Sequence, residues 1–225
     1  AILRQAGFRV GLIGTINNII DDQILPVKNT TPDAIELQSL FAEMVSCGVQ
    51  YAVMEVSSHA LALNRVSGTE FDVAVYSNIT RDHLDFHETF ENYIAAKAIL
   101  FRLLSAPDST KPNKTAVVNI DDAAAPAMLA AAGCRKILYG VNYAADLKAE
   151  DINVHASGAE FTVKGPFHDL PLSLKITGVF NVYNVMAAIG AAIAEDIDVQ
   201  VIKTALEAFK SVAGRFELVD EGQPF

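Results

Sequence analysis

The feature that most constrains this chain is the alternation of short apolar runs with stretches of helical period. Residues 9–13 read as a buried strand ending at Gly14-Thr15. Residues 33–46 then set Ile35, Leu37, Leu40, Phe41, Met44 and Val45 at helical spacing, stopped by Gly48. Strand-like runs follow at 51–56, 71–76, 114–119 and 135–139, with helical stretches at 90–104 and 121–132. This rhythm predicts an α/β fold, a doubly wound and mostly parallel sheet flanked by helices. The unbroken apolar run 51–56 predicts a strand covered on both faces. After about residue 141 the period shortens. Runs at 146–154, 159–163 and 170–176, separated by Ser157-Gly158 and Gly165-Pro166, predict a small antiparallel β subregion over about 146–176. Helices over 181–194 and 199–209 complete the pattern.

The 225 residues suffice for a full core, and 51% hydrophobic with 20% charged residues is a globular balance. A net charge of -10 leaves no basic stripe for nucleic acid or an anionic membrane, so neither is an expected partner. Two isolated cysteines, Cys47 and Cys134, make no disulfide framework and point to a reducing, cytoplasmic setting. No apolar run approaches the roughly 20 residues of a membrane helix. The opening residues read as the last turns of a helix capped by Gly7, and the chain closes on a linker-like Glu221-Gly222-Gln223-Pro224-Phe225. Both ends therefore read as those of a domain cut from a longer protein, residues 1–213 forming the domain and 214–225 a linker.

Several polar residues sit where apolar runs end, which is where α/β folds build sites. Glu55 closes the second run, and a Glu buried there needs a partner, either loop amides or a metal ion. Ser57 and Ser58 open a helix, as simple caps or as contacts for an anion at the helix start. Thr31 or Asp33 is positioned to cap the helix beginning near 33, with Pro32 in its first turn. His83 and His87 are four apart, a spacing that can hold zinc on a helix, but Leu84 stands where such a motif carries its Glu. A single ligand role for His83 fits better, with Asp82, Asp85 and His87 structural. Lys97 lies among Ala95, Ala96 and Ala98, either as a snorkelling surface lysine or as a site amine whose neutral form can take up carbon dioxide. Asn181 and Asn184 open a helix, as caps or as amides matching a purine edge. Arg215 is a phosphate fork or a hinge charge. No Gly-Lys pair occurs, so the usual phosphate-binding loop is missing from these residues.

Taken in order, Asn29-Thr30-Thr31-Pro32, Glu55-Val56-Ser57-Ser58-His59, residues 78–87 (NITRDHLDFH), Tyr93-Ile94-Ala95-Ala96-Lys97, Gly178-Val179-Phe180-Asn181 and Gly214-Arg215-Phe216-Glu217 resemble the central ATPase domain of the Mur ligases, most of all their MurE branch. The similarity runs over essentially the whole chain. The resemblance implies a P-loop-like fold and an ATP-dependent amide ligase of peptidoglycan synthesis. Such an enzyme adds meso-diaminopimelate or L-lysine to UDP-MurNAc-L-Ala-D-Glu through an acyl phosphate, as a cytoplasmic monomer with ATP and two Mg2+ ions. Glu55 and His83 correspond to metal ligands and Lys97 to a carbamylated lysine. Thr30, Thr31, Ser57 and Arg65 correspond to residues holding the UDP-muramoyl dipeptide. Asn181 and Asn184 fall on the adenine side, and Arg215 near the ATP phosphates. Leu63 stands where some relatives carry a substrate-contacting Gln. Without the phosphate loop and the third domain, the 225 residues alone are expected to be inactive. Other readings are MurF, cyanophycin synthetase or folylpolyglutamate synthase within the superfamily. From other classes come a metal-dependent hydrolase on His83 and His87, and a non-catalytic nucleotide-sugar binding module.

Overall fold

A computed structural model describes residues 1–107 and 109–210. Helix α1 (Ile2–Gln5) is one turn, followed by Gly7 at φ +90°. Strand β1 (Val10–Ile13) then pairs antiparallel with β2 (Asn18–Ile20), which pairs antiparallel with β3 (Gln23–Leu25). This hairpin is absent from the sequence reading. Its strands are three residues each, and its turn is the acidic pair Asp21-Asp22, with Asp21 at φ +56°. A polar turn between such short strands leaves too little alternation to register as a strand pattern.

Helix α2 (Ala34–Ser46) starts on Asp33, whose carboxylate accepts the amides of Ile35 and Glu36. Asp33 is thus the cap, Pro32 precedes it rather than entering the first turn, and Thr31 is committed elsewhere. Strand β4 (Tyr51–Met54) runs parallel to β1 and completes a four-stranded sheet of order β3-β2-β1-β4. Contrary to the expectation of a doubly covered strand, Ala52 and Val53 are exposed, Val53 by 46%. No described strand pairs with the other edge of β4.

After α3 (Ser58–Ala62) comes β5 (Val73–Tyr76), then α4 (Leu84–His87) and α5 (Phe90–Leu104). Next are β6 (Thr115–Asn119), α6 (Ala125–Ala131), β7 (Arg135–Gly140), β8 (Leu147–His155), β9 (Gly158–Lys164) and β10 (Leu170–Leu174). The chain ends its described part with α7 (Val179–Ala194) and α8 (Val199–Ala208). Strands β5 to β8 are parallel neighbours, and β9 and β10 extend them antiparallel in one six-stranded sheet. The expected antiparallel region therefore exists, as a continuation of the main sheet rather than a unit beside it.

One face of this sheet packs on α7 and α8, through Val117, Tyr139 and Leu147 against Val182, Met186 and Ile189. The other face packs on α5 and α6, through Tyr76, Ala116 and Val118 against Phe101, Leu104 and Met128. All five residues of β6 are buried, as a strand covered on both faces requires. A third cluster joins the four-stranded sheet to α2 and α3, and Ile99, Leu100 and Leu103 of α5 pack on it too. Helix α5 thereby couples both sheets. Among the described residues, no helix is long and apolar enough to cross a membrane.

Candidate functional site

The first group of polar residues gathers around Thr31, which is 1% exposed. Its hydroxyl donates to the Glu55 carbonyl at 2.8 Å and accepts the Ser57 amide at 2.9 Å. The Arg65 guanidinium donates to the Thr31 carbonyl at 3.2 Å. Thr30 lies 3.2 Å from the Thr15 hydroxyl, and that hydroxyl donates to the Glu55 carboxylate. Five residues singled out in the sequence, Thr30, Thr31, Glu55, Ser57 and Arg65, thus form one connected patch. Thr15 belongs to it and was missed, because a single Thr after a strand carries no distinguishing signal. Glu55 lies just beyond β4 and is exposed, so it is not the buried strand residue expected. Its carboxylate is open to solvent and to ligands.

Ser57 caps α3 by accepting the Ala60 amide at 3.2 Å. The next residue, Ser58, is buried and its hydroxyl lies 2.9 Å from His87 Nε2. His59 follows, with its ring centroid 5.0 Å from that of His83 and 4.2 Å from that of Phe86. Helix α3 therefore carries the chain from the Thr31 patch directly to a cluster of rings. His83 caps α4 in the left-handed region at φ +56°, and Glu88 closes α4 at φ +67°. Such backbone is uncommon outside glycine and concentrates at functional sites.

Tyr93 stands at the centre of the ring cluster. Its ring is 5.7 Å from His83, stacks on His87 at 5.0 Å, and has Lys97 Nζ 5.3 Å from its centroid. Burial lowers the Lys97 pKa, which favours the neutral amine. Burial, then the neighbouring charges of His59, His83 and Lys97, lowers that of His87. The His83–His87 zinc arrangement does not form: His83 heads the short helix while the Nε2 of His87 faces Ser58. Among the described residues, no three His, Cys, Asp or Glu side chains converge as a ready metal cage. One open carboxylate beside hydroxyls is nonetheless the kind of site Mg2+ uses, since that ion keeps several waters and is commonly held by one or two carboxylates plus substrate phosphates. The Glu55 carboxylate is an oxygen donor of the kind such an ion takes.

The third group lies at the start of α7. Gly178 is the cap, at φ +98°, a conformation that suits glycine. Asn181 is therefore inside the first turn instead of capping it; its amide donates to the Thr177 carbonyl at 2.8 Å, and Asn184 donates to the Asn181 side-chain oxygen at 3.2 Å. Arg215 lies outside the described residues.

Asn119 ends β6, and Asp121 and Asp122, read from sequence as the beginning of a helix, precede one that in fact starts at Ala125. Asn119 donates to the Ser77 carbonyl at 2.7 Å. Asp122 accepts from the Tyr76 hydroxyl at 2.6 Å and the Ile79 amide at 3.2 Å. Asp121 accepts the amides of Val141, Asn142 and Tyr143 and, at 2.8 Å, the Tyr183 hydroxyl. The partners lie 20 to 62 residues away in sequence, which no local pattern reveals.

The Glu55 carboxylate and the threonine patch lie beyond the carboxyl ends of β1 and β4, the parallel pair of the four-stranded sheet, which is where α/β folds place their ligand sites. The model of the Mur ligase middle domain matches residues 1–192, and the chain belongs to that family. The diaminopimelate ligase of Bacillus licheniformis, named UDP-N-acetylmuramoyl-L-alanyl-D-glutamate--2,6-diaminopimelate ligase, is 44% identical over 224 residues. That alignment covers 100% of this chain and 46% of the relative. The ligase of the same name from Clostridium botulinum is 46% identical over 219 residues, 97% of this chain and 44% of the relative. A solved structure bearing that ligase name superposes with a TM-score of 0.82 at 32% identity, over 95% of this chain and 43% of that one. MurF from Acinetobacter baumannii shares the fold, with a TM-score of 0.78 at 22% identity over 98% of this chain and 44% of its own. The chain thus spans a little under half the length of the relatives it matches.

Proposed function

We propose that the protein containing this chain is an ATP-dependent amide ligase that adds 2,6-diaminopimelate, the amino acid named in its relatives, to UDP-MurNAc-L-Ala-D-Glu. The observation carrying this reading is the connected patch of Thr30, Thr31, Glu55, Ser57 and Arg65, in a chain 44% identical along its whole length to a ligase of that name.

In this reading residues 1–213 are the central domain, and the phosphate-binding loop and the amino-acid-selecting domain lie outside the 225 residues. Two open sheet edges support it. Strands β4 and β5 each leave one edge unpaired among the described residues. Tyr51 at the head of β4 and Asp72 before β5 both lie within electrostatic reach of Glu195.

The chemistry divides among the chain's own residues. Arg65 and the hydroxyls of Thr30 and Ser57 bind and orient the acyl substrate. Glu55 through its carboxylate and His83 through a ring nitrogen would hold Mg2+, and a carbamate on Lys97 would add further oxygen donors, in keeping with two ions. Magnesium supplies the positive charge that phosphoryl transfer demands. The family resemblance assigns Asn181 and Asn184 to the adenine and Arg215 to the phosphates. ATP phosphorylates the substrate carboxylate, the amine of diaminopimelate attacks the acyl phosphate, and phosphate leaves.

The test is turnover by the full-length protein. ATP consumption that depends jointly on UDP-MurNAc-L-Ala-D-Glu and diaminopimelate supports the assignment. Extension of folate, or activity without ATP, ends it.

A further inference from the structure

The segment Asn119-Ile120-Asp121-Asp122 sits at the carboxyl end of β6, a fully buried strand next to the β5 edge, and its two carboxylates bond different parts of the molecule. Asp122 takes the Tyr76 hydroxyl and the Ile79 amide, so it fixes the start of the loop that delivers His83. Asn119 holds the same loop through Ser77. Asp121 gathers the amides of Val141, Asn142 and Tyr143 at 2.6, 2.9 and 3.2 Å, and takes the Tyr183 hydroxyl at 2.8 Å. Tyr183 lies between Asn181 and Asn184 on the first turns of α7. Its hydroxyl also accepts from the Asn142 side chain at 3.3 Å. The close approach is built in: a Cβ on Gly140 would lie 2.8 Å from the Asp121 carboxylate, so only glycine leaves room for it.

We infer that Asp121 and Asp122 are positioning residues that divide the proposed site between them: Asp121, through Tyr183, sets the helix bearing Asn181 and Asn184, and Asp122 sets the loop bearing His83. The inference rests on the ligase reading for the roles of those three residues. Its physical basis is the number of acceptor lone pairs. An ionised carboxylate offers about four acceptor sites and no donor. Asp121 has four donors around it, all of them N–H or O–H, so an asparagine there would turn its own N–H2 against at least one of them. Asp122 likewise faces three donors, counting the Ala124 amide at 2.9 Å.

The experiment uses full-length enzyme and measures steady-state constants for ATP and for UDP-MurNAc-L-Ala-D-Glu, with folding checked by thermal melting. Tyr183→Phe keeps the ring and removes one hydrogen bond, so KM for ATP rises about 2- to 10-fold while the dipeptide KM stays within about twofold. Asp121→Asn shifts the same constant further. Asp122→Asn lowers kcat about tenfold or more and raises the magnesium requirement, leaving KM for ATP within about twofold. If Asp121→Asn does not fold, Tyr183→Phe still gives the nucleotide-side readout. An unchanged ATP KM in Tyr183→Phe, or the same kinetic constants moved by both aspartate variants, overturns the division of roles. A wild-type enzyme that consumes no ATP with these substrates refutes the ligase reading itself and takes this inference with it.

Discussion

The imidazole Nε2 of His87 lies 2.9 Å from the Ser58 hydroxyl, and both side chains are buried. The contact fastens α4 to the first turn of α3, and so fixes His83 at one end of α4 relative to Ser57 at the cap of α3. It also explains why two histidines four apart make no shared metal site. Ser58→Ala strands a buried ring nitrogen, at a cost of about 1–3 kcal/mol. Urea unfolding of the full-length protein measures this, and an unchanged midpoint and slope would show that the pair contributes nothing.

Thr31 is the hub of the polar patch proposed to hold the acyl substrate, donating to one backbone group and accepting from another 26 residues away. Thr31→Val keeps the shape and removes both bonds, leaving the Ser57 amide and the Glu55 carbonyl without that partner. The effect on the patch is roughly that of two net hydrogen bonds, about 1–3 kcal/mol, so KM for UDP-MurNAc-L-Ala-D-Glu rises about tenfold or more. KM for ATP stays within about twofold of wild type. Equal increases in both constants would place Thr31 outside the acyl-substrate patch.

These relationships differ in how far the sequence announces them. Helix α5 was legible to the residue, because Thr89 caps it through the Asn92 amide and its apolar positions keep helical period. Strand β6 was legible as an apolar run. Of the patch around Thr31, Glu55 and Ser57 stand where an apolar run stops and Thr31 stands at a helix start, whereas Thr30 and Arg65 were legible only through the family resemblance. The exposure of β4 was not, because an apolar run looks the same whether its second face and edge are covered or open. The β2–β3 hairpin hid behind Asp21-Asp22. The roles of Asp121 and Asp122 were invisible, because carboxylates that collect distant amides leave no periodic trace.

The Asp121–Tyr183 pair predicts a pH signature. Burial alone raises the Asp121 pKa, but the amides of Val141 and Asn142, the Tyr183 hydroxyl and the Tyr143 amide outweigh it and hold the carboxyl below its ordinary range. A pKa depressed in the folded state adds stability that is fully present above the unfolded value of about 3.9 and fades as pH falls through the folded value. The stability gap between wild type and Asp121→Asn is therefore largest above about pH 5 and narrows on acidification. On the alkaline side burial, then the bond to Asp121, pushes Tyr183 up to about 12. That contribution is present below about pH 10 and is lost as pH rises through 12, a loss that Tyr183→Phe does not show. Thermal melts across both ranges test this, and parallel pH profiles for wild type and variants would contradict it.

Lys97 carries the last prediction. Its amine sits in the cluster beside Tyr93, and burial lowers its pKa, which enlarges the neutral fraction able to form a carbamate. A carbamate is a carboxylate on a long arm, so Lys97→Ala removes an oxygen donor that nearby groups do not replace. Activity of the full-length enzyme falls by at least about 100-fold, the scale of losing one charge-stabilising group in a catalytic site. A short carboxylic acid added to the solution restores part of it, because acetate or propionate can occupy the space vacated by the side chain and present the same oxygens. Lys97→Arg keeps a cation but forms no carbamate, and is as inactive as the alanine variant. Normal turnover by unrescued Lys97→Ala, or full activity in Lys97→Arg, would assign the lysine a purely structural place under the ring of Tyr93.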